Sequence, residues 1–138
     1  MSRPRRFGWL DANLFIHVLF PGDPHSSRCR EILDALMDGS GVGYLDPVTV
    51  HELTYALQKV RPESFSDRKE VFKYLSAFIT LDTVHIDEKD TLLKGLWYWA
   101  AGRVDKFGDG RLRALAEDRE TPVYTVNKRD FIGVVNTY

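Results

Sequence analysis

Four polar side chains of this chain fall where an apolar run gives way to a helical pattern: Asp11, Glu52, Asp109 and, at the last such junction, Asn127 or Asp130. In an open α/β sheet the carboxyl ends of the strands form the ligand crevice, so a carboxylate that closes a strand is aimed at a potential site. Asp11 stands in the middle of Phe7–Ile16, an otherwise apolar run, where a charge is out of place. Each acid also has an ordinary explanation. Asp is a common N-cap, and a Glu in a first helical turn interacts favourably with the macrodipole. Repetition at successive strand–helix junctions exceeds what capping alone accounts for, and the set amounts to an acidic pocket. No Ser, Cys or His dyad accompanies it to supply a protein nucleophile. His51 lies about 100° around its helix from Glu52, so the two cannot face one small site.

The elements that must position these residues follow from the apolar spacing. Phe7–Leu10 is expected to be a buried parallel strand, with Asn13–Ile16 opening a helix. Phe20-Pro21-Gly22-Asp23-Pro24 ends that helix, and Ser26 or Ser27 is expected to cap the next, in which Cys29, Ile32, Leu33, Leu36 and Met37 recur at helical spacing until Gly39. Val42–Asp46 is a short strand. Pro47 at a first helical position introduces a helix in which Val48 and Leu53 face the core and Glu52 lies one turn in. A further helix opens at Ser66–Glu70, and Leu81–Ile86 is a third strand. Glu88 to Arg103 is a helix apolar around much of its circumference, which implies burial on more than one side. Its Trp97-Tyr98-Trp99 triplet points in different directions and makes no joint stacking platform. Asp109 stands at the first turn of a helix expected to bury Leu112, Leu115 and Ala116. Thr121–Val126 is a strand that Asn127–Phe131 leaves as a turn.

The length of 138 residues fits one domain that buries roughly two-thirds of its unfolded surface. The single cysteine, Cys29, excludes an internal disulfide, and no apolar run is long enough to span a membrane, so a cytoplasmic location is expected. A net charge of −1 gives no global basic footprint, so any polyanion site must be local. Arg3, Arg5 and Arg6 form a basic arm, and Arg103, Lys106, Arg111, Arg113, Lys128 and Arg129 cluster in sequence at the other end.

The succession Leu10-Asp11-Ala12-Asn13, Val50-His51-Glu52-Leu53, Phe107-Gly108-Asp109-Gly110 and Tyr124-Thr125-Val126-Asn127-Lys128-Arg129-Asp130-Phe131 resembles the PIN-domain ribonucleases, most closely the VapC-type toxins of bacterial and archaeal toxin–antitoxin pairs. The resemblance spans essentially the whole chain in order and spacing. It implies a single PIN-like nuclease domain over residues 1–138, a three-layer α/β/α sandwich around a mainly parallel sheet of four to five strands. It implies a Mg²⁺ or Mn²⁺ site, hydrolysis of single-stranded RNA, and a homodimer inhibited by a cognate antitoxin. On that resemblance Asp11 and Asp109 are direct metal ligands and Glu52 a ligand or water-mediated anchor. Asn127 holds the fourth acidic place by spacing, with Asp130 three residues on as compensation. Asn13 lies beside the acids, Thr125 orients a water, and Arg111, Lys128 or Arg129 neutralise phosphates. The implied reaction is in-line attack of a metal-activated water on a phosphodiester.

Two departures stand out. Gly110 occupies a place that is Ala in many relatives and is expected to loosen the helix start by about 1 kcal/mol, and Asn127 puts a neutral amide where an acid is usual. The apolar helical positions Leu33, Leu36, Leu57 and Val60 are expected to receive an antitoxin's amphipathic segment. Two alternatives stand beside the toxin: a PIN-domain nuclease of RNA processing, and an acidic-pocket phospho-acceptor or metal-binding signalling domain with Lys128 beside one acceptor Asp.

Overall fold

The computed structural model describes residues 3–136, so residues 1, 2, 137 and 138 of the expected domain lie outside the described residues. The described residues form five strands and six α-helices, with two helices after each of the first three strands: β1 (Arg5–Trp9), α1 (Ala12–His17), α2 (Ser26–Asp38), β2 (Gly41–Tyr44), α3 (Pro47–Val60), α4 (Arg68–Ile79), β3 (Val84–His85), α5 (Lys89–Ala100), α6 (Phe107–Asp118), β4 (Val123–Tyr124) and β5 (Val135–Asn136). A 3₁₀ turn, Lys128–Phe131, precedes β5. All pairings are parallel, which gives the mixed α/β class with a parallel sheet. The strands form two hydrogen-bonded sets, β1-β2-β3 and β4-β5.

The first strand is more open than its apolar run implies. Trp9 is 73% exposed and packs its ring on Tyr44, 5.5 Å away, which in turn packs on His85. Register slips between Arg6 and Gly8, and Gly8 adopts φ +81°, a conformation that favours glycine. Burial resumes at Leu10 and continues through Leu14 and Phe15.

Residues two positions off a buried helical position lie about 200° around the helix. This geometry corrects two expectations. Val50, Leu53 and Leu57 of α3 are fully buried, so Val48 turns outward and is 65% exposed. Gly110 and Ala114 of α6 face inward, so Leu112 is 46% exposed. The start of α2 also differs: its N-cap is His25, with no side-chain cap bond. The turn is closed instead by Asp23, whose carboxylate accepts from the His25 N–H at 2.7 Å and pairs with the His17 ring. Leu33, Leu36 and Leu57, expected as a docking face, are core residues at 2%, 1% and 0% exposure, so only Val60 of that set reaches the surface. They pack into the one large apolar cluster, with Phe15, Val71, Leu75, Leu92 and Leu96. A small second cluster of Ala116, Val123 and Phe131 joins α6 to β4 and the 3₁₀ turn.

Helices α5 and α6 approach each other closely, backbone to backbone. A Cβ on Gly110 would stand 2.5 Å from the carbonyl oxygen of Gly95, and one on Gly95 would stand 2.7 Å from Cα of Arg111. Both obstacles are backbone, so neither can move aside cheaply. Gly110 is therefore the residue that lets α6 lie directly on α5, and its weak helix propensity is offset by that close packing. Gly110→Ala should lower stability by about 1–3 kcal/mol through overpacking, although Ala is the better helix former. Thermal melting checks this; a raised melting temperature would contradict it.

Candidate active site

The packing of α6 on α5 fixes the start of α6, and Asp109 stands in its first turn. Its backbone N–H donates to the Lys106 carbonyl at 3.1 Å, and its side chain is partly buried. Asp130, in the 3₁₀ turn after β4, is 5% exposed and lies beside the Asp109 carboxyl group. Two donors orient Asp130: the Asp105 N–H at 3.2 Å and the Asn127 side-chain amide at 3.0 Å, both on Oδ2. Thr125 holds the approach to this turn, its hydroxyl oxygen accepting from the Asn127 N–H at 2.9 Å. Of the two residues expected to compete for the fourth acidic place, Asp130 is the one beside Asp109, and the Asn127 amide donates to it.

Burial raises the Asp109 pKa above the ordinary value of 3.8, and the Asp130 charge adds to the effect, partly opposed by Lys106. The nearness of the Asp130 carboxyl group and the charge of Asp105 push in the same upward direction. The pair is a compact acidic site that favours a retained proton or a cation.

An arginine that no sequence motif singles out holds this arrangement. Arg68, at the start of α4, donates to the carbonyls of Trp99 at 3.1 Å, Val104 at 2.9 Å and Asp105 at 2.7 Å, with its guanidinium 5.0 Å from the Trp99 ring centre. It thereby clamps the loop between α5 and α6, whose Asp105 N–H reaches Asp130. In the sequence its only signal is a helix-opening position, which says nothing of a loop some 30 residues downstream.

The other sequence candidates are placed differently. Asp11 is the N-cap of α1, accepting from the Ala12 N–H at 2.8 Å, and is exposed. Glu52 is exposed on α3 and forms no hydrogen bond or ion pair with a described residue. No hydrogen bond links either acid to the Asp109–Asp130 pair. Asn13 is exposed one position into α1. Arg129 lines a cavity of about 440 Å³ with Arg68, Asp105, Asn127 and Asp130. Lys128 is exposed on the 3₁₀ turn, and Arg111 lies in a separate apolar recess with Phe107 and Leu115.

Among the described residues no three His, Cys, Asp or Glu side chains form a ready ion cage. The donor chemistry of Asp109 and Asp130 nevertheless fits a hard divalent cation. Mg²⁺ takes oxygen ligands, is typically anchored by one or two carboxylates and keeps several waters.

A sequence model of the PIN domain matches residues 9–134. The chain belongs to the PIN-domain family. No curated protein and no solved structure matches it. PIN domains are in general metal-dependent nucleases acting on nucleic acid, and at that level this chain is a nuclease domain. None of the described helices is long and apolar enough to cross a membrane.

The electrostatics of this PIN domain give a test on the metal-free protein. A carboxyl group whose folded pKa is raised contributes stability that is fully present below the unfolded pKa and is lost as pH rises through the folded value. Asp109→Asn should therefore melt above the wild type at pH 7 in EDTA, with the gap closing as the pH approaches 3.8. A gap that does not change with pH would show that the acids do not strain each other.

Proposed function

We propose that this PIN domain, read as a single nuclease domain, is a Mg²⁺- or Mn²⁺-dependent endoribonuclease of single-stranded RNA and the toxin of a toxin–antitoxin pair. The observation that carries the nuclease half is the meeting of Phe107-Gly108-Asp109-Gly110 with Asn127-Lys128-Arg129-Asp130 at one carboxylate pair. The toxin half rests on the resemblance of the four motifs to VapC-type proteins, which also brings a homodimer and a cognate antitoxin as partners. The phospho-acceptor alternative asks for one dominant Asp with Lys128 beside it; here a second carboxylate stands beside Asp109, and Lys128 is exposed.

In this mechanism Asp109 and Asp130 would hold the cation, with Asp11 and Glu52 as the further acids of the site. When bound, the cation lowers the pKa of a water and offsets the charge of the pentavalent phosphate. Asp130 is kept in place by the Asp105 N–H and the Asn127 amide, so its oxygens need no reorganisation on loading. Burial and the Asp130 charge make the ionised form of Asp109 less favourable than usual, and a bound cation would offset that cost. Arg129, on the shared cavity, faces the place where a substrate phosphate would lie.

Labelled single-stranded RNA should be cleaved with Mg²⁺ or Mn²⁺ and spared in excess EDTA. Asp11→Asn and Asp109→Asn should each abolish detectable cleavage while remaining folded. Full activity in EDTA, or in the Asp109 variant, would sink the metal mechanism. Growth arrest on expression, relieved by the adjacent reading frame, supports the toxin role. Cleavage without arrest assigns the chain to RNA processing instead.

A further inference from the structure

Beside the acidic pair lies a cavity of opposite character. It measures about 630 Å³, and its lining includes His51, Tyr55 and Lys59 of α3, Arg68, Trp99 and Lys106, with no carboxylate. That concentration of cations stands out in a chain of net charge −1. Arg68 is a positive charge fixed in place by its bonds to backbone carbonyls and partly offset by the Asp105 carboxylate 3.9 Å away, so among the described residues the free cations of the cavity are the two lysines. Lys59 and Lys106 form no close ion pair with a described residue, although Lys106 also acts on Asp109 at longer range. Tyr55 is 72% exposed, with the Lys59 ammonium 5.8 Å from its ring centre.

Two links tie this cavity to the acidic site. Lys106 lines the cavity and also acts electrostatically on Asp109. On α3, Glu52, Tyr55 and Lys59 are spaced i, i+3 and i+7, so they share one helix face that runs from the proposed acids into the cavity. A volume of this size accommodates a small-molecule-sized group, and an exposed aromatic ring among unpaired cations matches how single strands are held, with bases on rings and phosphates on Lys or Arg.

We infer that this cavity is a nucleotide subsite for the single-stranded RNA substrate, in which one base stacks on Tyr55 and the adjoining phosphates sit against Lys59 and Lys106. The inference rests on the nuclease reading above. An acidic peptide would satisfy the cations but gain nothing specific from the ring.

Binding of a labelled 12-nucleotide RNA, followed by fluorescence anisotropy in EDTA over a range of KCl concentrations, tests the subsite without any cleavage. All three positions are exposed, and circular dichroism checks that each variant is folded. The double variant Lys59→Gln, Lys106→Gln should flatten the salt dependence by about 1.4 log units per log unit of salt, since each phosphate neutralised on a single strand accounts for roughly 0.7. Tyr55→Ala should weaken binding about tenfold with the slope unchanged, and Tyr55→Phe should restore it, since stacking needs the ring and not the hydroxyl. Arg28→Gln, on the distant α2, should match the wild type. A wild-type slope in the double variant, wild-type affinity in Tyr55→Ala, or equally effective competition by poly-glutamate would overturn the subsite. If such a result accompanied metal-dependent cleavage, the nuclease reading would stand without the subsite. If the slope and stacking effects were observed without any cleavage, the nuclease reading would fall and the RNA site would remain.

Discussion

The backbone approach between Gly95 and Gly110 is the constraint on which the acidic site depends. Without side chains at either position α6 rests directly on α5, and Asp109, the residue before Gly110, is carried to a fixed place. The same helix then diverges in its loyalties. Gly110 and Ala114 face α5, while Ala116 packs with Val123 and Phe131, so that α6 also anchors the turn that carries Asp130. One helix thus sets the spacing of both carboxylates, and the Arg68 clamp on the α5–α6 loop supplies the N–H that aims the second.

That arrangement opposes charges on a small scale. Asp109 is pushed toward its neutral form by burial and by Asp130, yet within the same few residues Lys106 pulls it the other way. An acidic pair meets a basic, aromatic cavity, and neither leaves a mark on the net charge of the chain. In the proposed nuclease this alternation would serve a polyanionic substrate, with the carboxylates anchoring a cation and the ammonium and guanidinium groups meeting the flanking phosphates.

Much of the fold is legible in the sequence because its signals are local. Pro47 at a first helical position, the apolar repeat of α2 and the turn formers after α1 each act within a few residues. The errors share a cause. Val48 and Leu112 are apolar side chains assigned inward by type, yet each sits about 200° from the buried face of its own helix. Leu33, Leu36 and Leu57 belong to the core and not to a docking face, because helical spacing shows that a face is apolar without showing what covers it. Gly110 reads as a weakness because propensity is local, whereas its partner Gly95 lies 15 residues away. At the site, the motif around Asn127–Asp130 is legible but its division of labour is not, because the choice rests on burial of Asp130 and on a hydrogen bond within the turn. Arg68 is invisible in the sequence, since its partners are carbonyl groups on a distant loop.

The central claim, that Asp109 and Asp130 form the anchor of a divalent cation, is tested most directly by anomalous diffraction from crystals soaked in Mn²⁺. The account predicts a peak about 2.1 Å from a carboxylate oxygen of each residue, absent in crystals of Asp109→Asn. Mn²⁺ that orders elsewhere on the protein, or leaves this pair empty at concentrations that support cleavage, would contradict it.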